Sequence, residues 1–346
     1  MTELMNRIGL LNAGGTEPSA DGCGLLLARL PAAVREPLNE RARLQYRKPA
    51  HTEIRFVLNP GAKLDAVAFD LEVLPEDGQM GPPGSIGIDY FRGDYQTTPV
   101  GGRLQAGKVE TVTFPDNEMF NRLADRIPGT RYPPTLCRIV LHGAATVLRD
   151  VRGDIRPPRP DEQPPVMIAY GTSITHGHAA SRTDLTWAAL TARALGYDLV
   201  NLGTGGSAHC EPEIADYMAR QPWALCTLEL SVNMVAAFEV EQFRERAAYF
   251  VNTLAVARPE ATVACISLFP YFNDFITGGP LPAKAAAFRE TLEAICRESP
   301  HPNIRFIPGP ALLPPEGLSH DLLHPSDHGM LAIAGNLSAA LADCRA

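Results

Sequence analysis

Residues 166–177 read Val-Met-Ile-Ala-Tyr-Gly-Thr-Ser-Ile-Thr-His-Gly, an unbroken apolar run that ends in a glycine, two hydroxyl residues and a polar turn. A run of this length closed by Gly171 predicts a strand buried on both faces. Further runs of the same kind follow: DLVNL (198–202), ALCTLEL (224–230), TVACISL (262–268) and NIRFI (303–307). Between them lie amphipathic stretches near 184–195, 211–220, 240–257 and 282–298, with a last one from about 326 to 343. Apolar strands alternating with helices are the pattern of a parallel sheet whose crossovers return over both faces. This half of the chain is predicted to be a three-layer α/β domain on a five-stranded parallel sheet.

Upstream, the segment RGDIRPPRPDEQPP (152–165) carries Pro157, Pro158, Pro160, Pro164 and Pro165, which remove backbone donors and hold the chain extended. It predicts a domain boundary: a first domain over 1–155, a Pro-rich linker over 156–165 and a second domain over 166–346. The first domain alternates short runs rich in Val, Ile, Phe, Tyr and Thr with Gly and Pro turns: TEIRFVL, LDAVAFDLEVL, SIGIDYF, VETVTF, TLCRIVLHG and ATVLRDV. An antiparallel β-sandwich, jelly-roll-like, is expected. Its one helical stretch is NEMFNRLADRI (117–127), where Met119, Phe120, Leu123 and Ile127 share a face.

Of the 346 residues 45% are hydrophobic and 20% charged, which is globular composition and excludes a disordered or fibrous chain. Thirty-one Lys and Arg against 39 Asp and Glu leave a net charge of −8, and no basic run offers to neutralise a phosphate backbone, so nucleic acid is not an expected partner. No window reaches the ~18 uninterrupted apolar residues of a membrane span, and the start MTELMNRIGLLNAGG lacks a secretory pattern. The seven cysteines form an odd set with no C-x-x-C pair, and several sit in apolar runs. Free thiols in a reducing cytoplasm are the expectation.

Reacting groups in such sheets gather where strands end and helices begin. At the first exit, Gly171 allows a tight turn that sets the Ser173 hydroxyl at the sheet edge with its N–H toward a bound oxyanion. A plain helix N-cap is the competing use of that hydroxyl. The second exit, NLGTGGS (201–207), is a glycine cluster; it lacks both the lysine of a phosphate loop and the spacing of a dinucleotide loop. The third, ELSVNM (229–234), offers Asn233 either as an amide donor to the same oxyanion or as a loop cap. The fifth leads to SHDLLHPSDHG (319–329), where Asp321 and His324 form an acid/base pair just before a helix that Pro325 can start. His320 and His328 with His176, His178 and His209 raise a metal site, but no H-E-x-x-H or cysteine pair accompanies them. No metal ligand is assigned.

Ser173, Gly206, Asn233 and the Asp321-to-His324 segment thus fall in order at four strand exits. In this the chain resembles the SGNH, or GDSL-like, hydrolases over about residues 166–343. Tyr170 through Thr175, Ala180-Ser181-Arg182, Asn201-Leu202-Gly203, Glu211-Pro212-Glu213 and Asn233-Met234 are similar to the branch with a YGTSIT-type first block. Gly87-Ile88-Asp89-Tyr90-Phe91 is similar to the G-x-D-L-Y mark of that branch's N-terminal β-domain, with the aromatic order changed. Thr172 stands where the name-giving motif has Asp, and Ser231 and Met234 stand for the Gly and Asp of the common G-x-N-D block. Gly206 is matched by spacing from Asn201.

The resemblance implies a flavodoxin-like SGNH domain in which His324 deprotonates Ser173 and Asp321 steadies the imidazolium. The N–H groups of Ser173 and Gly206 and the Asn233 amide would hold the oxyanion, with no metal or organic cofactor. Thr172, Arg182, Tyr271 and Phe272 are substrate-binding candidates. Hydrolysis of a small acyl ester is the first functional expectation. Transfer of the acyl group from a thioester such as acyl-CoA to a hydroxyl of a sugar or natural product is the second, since the branch includes acyltransferases of antibiotic pathways. The segment Tyr271–Pro280, aromatic and apolar, is suited to cover such a group or to pack on its own domain. A third expectation is a carbohydrate-binding module with an inactive α/β half, against which an intact Ser, Asn, Asp and His set argues.

Overall fold

The computed structural model describes residues 2–15, 17–75, 85–98, 101–124, 126–128 and 131–346. It resolves into two compact units, residues 1–32 with 46–164 and residues 33–45 with 165–346. The segment 33–45 therefore interrupts the first unit in sequence while packing with the second, a crossing that the linear order of motifs does not disclose.

The first unit carries strands β1 (Gly9–Leu11), β2 (Glu17–Pro18), β3 (Leu25–Leu26), β4 (Ala50–Leu58), β5 (Ala68–Val73), β6 (Ser85–Arg92), β7 (Tyr95–Gln96), β8 (Gly102–Gln105), β9 (Val109–Thr113), β10 (Leu136–Gly143), β11 (Thr146–Arg152) and β12 (Ile155–Arg156). They form two antiparallel sheets. One is ordered β1-β4-β10-β6-β7, with β12 beside β4 and β8 beside β6; the other is β2-β3-β11-β5-β9. Alternation makes the sandwich: Ile54 and Phe56, Ile86 and Ile88, Ile139 and Leu141 from the first sheet meet Phe69, Leu71, Val112 and Leu148 from the second in one core. On the other face of β4, Glu53 is also buried and lies against Arg55, Arg138 and His51. Burial works against its charge, but the Arg138 and Arg55 guanidinium groups outweigh it and hold the carboxyl well below its ordinary range.

Within the G-x-D-L-Y-like stretch, Tyr90 packs edge-on against Phe114 and Phe91 lies beneath the Arg138 guanidinium, so both serve packing. The expected helix over 117–127 is shorter, Glu118–Leu123, and buries none of its residues; Met119 is 60% exposed. Helical periodicity is present there, but the face it creates has no core to meet.

The second unit is built on β13 (Val166–Gly171), β14 (Asp198–Gly203), β15 (Leu225–Glu229), β16 (Thr262–Ile266) and β17 (Ile304–Ile307), all parallel, in the order β14-β13-β15-β16-β17. Every apolar run read as a strand is one. Alternate side chains make the two faces. Met167, Ala169, Leu199 and Ile266 pack under the helices Trp187–Leu195 and Asp327–Ala340. On the opposite face Tyr170 stacks on Phe250 of the helix Val240–Ala257. In this order β13 lies between its two sequence successors, so the connections leaving it and β15 diverge and open a crevice at their carboxyl ends. All seven cysteines are free, and among the described residues no helix is long and apolar enough to cross a membrane.

Candidate active site

β13 ends at Gly171, and the chain turns at once into the short helix Ser173–His176. A side chain at 171 would run into Thr175 Oγ1 and come within 2.7 Å of Glu229 Oε2, so the turn admits only glycine. Thr172 caps the helix through Ile174 N–H, which makes Ser173 its first residue, whose N–H has no intrahelical acceptor. Ser173 Oγ lies 2.7 Å from His324 Nε2, and His324 Nδ1 lies 2.6 Å from Asp321 Oδ2. Both Ser173 and His324 are buried.

The Asp-x-x-His spacing has a local cause. Asp321 Oδ1 accepts the N–H groups of Leu323 (3.0 Å) and His324 (2.9 Å), a side-chain turn that curls the backbone and carries the imidazole back onto Oδ2. Burial works against the Asp321 charge. The hydrogen bonds from the His324 ring and the two backbone N–H groups outweigh it and hold the carboxyl well below the usual range. A charged Asp321 requires the proton on Nδ1, which leaves Nε2 as acceptor for the Ser173 hydroxyl. Asp327, equally spaced on the other side of His324, instead accepts Ser181 N–H at 2.8 Å. The following helix begins at Asp327 under a Ser326 cap, so Pro325 lies one residue before the cap rather than inside the first turn.

Gly206 and Asn233 stand on the neighbouring exits. Gly206 has φ +68° and is exposed. Asn233 Oδ1 accepts Ala208 N–H at 3.2 Å, which turns the amide nitrogen of Asn233 away from that loop. Ser231, in the place of the motif glycine, is held at φ +105°, a strained backbone for a residue with a Cβ.

Of the substrate-binding candidates, Thr172 is fully buried and turned inward. Its N–H and hydroxyl both donate to Glu229 Oε2, at 2.8 and 2.7 Å, and it supports the turn. Arg182 pairs with Asp184 at 2.9 Å. Tyr271 is buried, with its hydroxyl accepting from Asn273, while Phe272 is exposed beside it and its N–H donates to Leu322 O at 2.7 Å. That bond joins the aromatic segment to the loop of Asp321. Phe272, Phe275, Ile276 and Leu322 are all exposed apolar side chains.

Two neighbours, His178 and Glu229, were given no place beside Ser173 and His324 from the sequence. His178 sets its ring 4.2 Å from that of His324, and its ring is held below the ordinary histidine range by burial and then by His324. Among the described residues His178, Asp321 and His324 are a group with ligand atoms within 4.8 Å of one another, and the last two are already joined in the acid/base pair. Glu229, at the end of β15, is fully buried and also receives the Thr175 hydroxyl at 3.0 Å on Oε2. Its other oxygen has no partner among the described residues. Burial pushes its carboxyl up to about 7 against those hydrogen bonds. The only sequence signal for it was a carboxylate closing an apolar strand.

A carboxyl raised on folding favours the neutral form, so its stabilising contribution is full below the unfolded carboxylate range and is lost as pH rises through about 7. At about 1.4 kcal/mol per tenfold change in proton affinity, Glu229 should cost the protein roughly 2 kcal/mol between pH 5 and pH 8. Glu229→Gln should lack that slope. Urea unfolding of both proteins at the two pH values measures it, and parallel pH dependence would remove Glu229 as the source.

The family model of the GDSL-like lipase/acylhydrolase family matches residues 164–342, more than half of the chain and all four strand exits. The chain belongs to this family. It is accordingly an SGNH enzyme that acts on acyl esters. Solved structures extend the likeness over both units. The salicylyl-acyltransferase SsfX3 from a tetracycline biosynthetic pathway is 18% identical, with 97% of this chain and 94% of that one covered and a TM-score of 0.77. A Bacteroides ovatus protein described as a GDSL-like lipase is 18% identical, with 97% and 95% covered and a TM-score of 0.69. A family two carbohydrate esterase from Cellvibrio japonicus is 13% identical, with 98% and 95% covered and a TM-score of 0.62. At these identities the likeness is one of fold. No curated protein matches the sequence.

Proposed function

We propose that this GDSL-like enzyme is a serine esterase that cleaves a small-molecule acyl ester through an acyl-enzyme. The observation that carries the reading is the hydrogen-bonded chain Ser173–His324–Asp321, with its 2.7 and 2.6 Å links. His324 Nε2 takes the Ser173 proton as Oγ attacks the acyl carbonyl; the imidazolium, steadied by Asp321, then protonates the leaving alkoxide. Water, deprotonated by the same imidazole, attacks the acyl-enzyme, releases the acid and restores Ser173. The N–H groups of Ser173 and Gly206 and the Asn233 amide hold the oxyanion in both steps. The reaction needs no metal or organic cofactor.

Asn233→Ala should lower kcat by roughly 10²-fold and leave KM nearly unchanged, because its donor is used where charge develops. Steady-state kinetics on a neutral ester checks this. A change confined to KM would make Asn233 a binding residue instead.

A second reading, acyl transfer from an acyl-CoA-type thioester to a hydroxyl acceptor, is favoured by one feature. The exposed apolar group Phe272, Phe275, Ile276 and Leu322 adjoins the Asp321 loop and is suited to seat an aromatic acceptor and exclude water. The likeness to a salicylyl-acyltransferase points the same way. Intact-protein mass spectrometry after exposure to a panel of esters and acyl-CoAs identifies the donor by the mass added. The acyl-enzyme is then divided between water and hydroxyl acceptors. Release chiefly as free acid supports the esterase, release chiefly as an acyl acceptor supports transfer, and no adduct from any donor overturns both.

A further inference from the structure

The loop from Thr204 to Glu211 presents Gly206 and supports Asn233, and its outward side is gripped by residues 33–45. This segment lies outside the residues that the family model matches and belongs to the second compact unit. A trans peptide is planar, with its C=O and N–H on opposite edges, so a grip on the carbonyl sets the direction of the N–H. Arg41 Nε donates to Gly205 O at 2.8 Å, and Gly205 C=O shares its plane with the N–H of Gly206. Asn39 Nδ2 donates to Ser207 O at 3.2 Å, and Ser207 C=O shares its plane with Ala208 N–H, the group that orients Asn233.

We propose that Arg41 and Asn39 are positioning residues for the oxyanion donors, holding from behind the two peptide planes that aim Gly206 N–H and the Asn233 amide. This rests on the oxyanion role given to those groups above. The need for an external hold is physical. Gly205 and Gly206 lack Cβ atoms, so the plane between them turns at little cost, and Gly206 is already at φ +68°. A cationic donor on the carbonyl also polarises the peptide and strengthens its N–H as a donor.

The grip is itself braced. Asn39 Oδ1 accepts Ala42 N–H at 2.9 Å at the start of the helix Glu40–Tyr46, and Nδ2 reaches Glu211 Oε1 at 2.8 Å. Glu211 in turn accepts Tyr170 Oη–H at 3.1 Å and His209 N–H at 3.2 Å through Oε2. The Arg41 guanidinium lies against Gly206: a Cβ there would come within 2.7 Å of its Cζ. Glycine at 206 thus answers both to the backbone angle and to Arg41.

The test uses the full-length protein and its Arg41→Ala, Arg41→Lys and Asn39→Ala variants on a neutral 4-nitrophenyl ester. A short alkylboronic acid, which forms a tetrahedral adduct on serine, serves as transition-state mimic. Arg41→Ala should lower kcat about 10- to 50-fold with KM within about twofold, and boronate affinity should fall in step with kcat. Arg41→Lys, which keeps the charge without the guanidinium geometry, should be intermediate. In an Asn233→Ala background the cost of Arg41→Ala should shrink, because both act on one oxyanion.

Unchanged kcat, a loss confined to KM, or a fall in kcat without a fall in boronate affinity would each overturn the proposal. Thermal melts monitor folding, and if Arg41→Ala does not fold, Arg41→Lys and Asn39→Ala carry the same comparison. Failure of the underlying reading is distinct: the unaltered protein would then form no Ser173-dependent adduct with ester or boronate.

Discussion

Ser173→Ala leaves a folded protein that no longer takes up acyl groups, and turnover of any ester the unaltered enzyme cleaves falls by about 10³-fold or more. The size of the effect follows from the geometry. Oγ is the atom that His324 Nε2 faces at 2.7 Å, and alanine offers no atom to bond to the acyl carbon. Folding is spared because the substitution removes one hydrogen bond at the head of a helix that Thr172 caps and Glu229 braces. Mass spectrometry of the acyl-enzyme, a pre-steady-state burst and a thermal melt measure the three consequences. A burst that persists in Ser173→Ala would take the nucleophile's role from this residue.

His324→Ala should be comparably severe, about 10³-fold, since no other base stands on Ser173 Oγ among the described residues. The Asp321 carboxyl is held well below the usual range by the hydrogen bonds it accepts and stays charged beside the ring. Asp321→Asn should cost less than the loss of the ring. Its amide still accepts the Leu323 and His324 N–H groups but no longer stabilises a protonated imidazole. Asp327→Asn should remain within a few-fold of the unaltered enzyme, because Asp327 faces Ser181 N–H. kcat/KM values for these proteins decide the matter. A harmless Asp321→Asn beside a crippling Asp327→Asn would reverse the assignment.

The amino-acid sequence by itself determined whatever depends on short range. Apolar runs without alternation specified strands covered on both faces. Glycine at 171 specified a turn no other residue fits. Asp321 and His324 carry their mutual geometry in three residues of chain, because the Asp321 carboxylate bonds the very backbone that bears the ring. The order of Ser173, Gly206, Asn233 and His324 along alternating strands and helices set each of them beyond the carboxyl end of a strand of one parallel sheet. Local pattern also misled where no packing surface answered it, as in the exposed helix Glu118–Leu123.

Tertiary structure decided what local pattern leaves degenerate or silent. Asp321 and Asp327 flank His324 at equal spacing, and only Ser181 N–H, far away in sequence, draws Asp327 off. Thr172 reads as a pocket residue until buried Glu229 is found behind it, and nothing within a few residues of either announces the pair. Asn39 and Arg41 lie among residues that look like part of the β-sandwich, yet they belong to the second unit, where they hold Ser207 and Gly205. A hydrogen bond between residues more than a hundred positions apart leaves no periodicity and no spacing in either stretch. Its physical basis is the packing of one element on another, which exists only once the chain has folded.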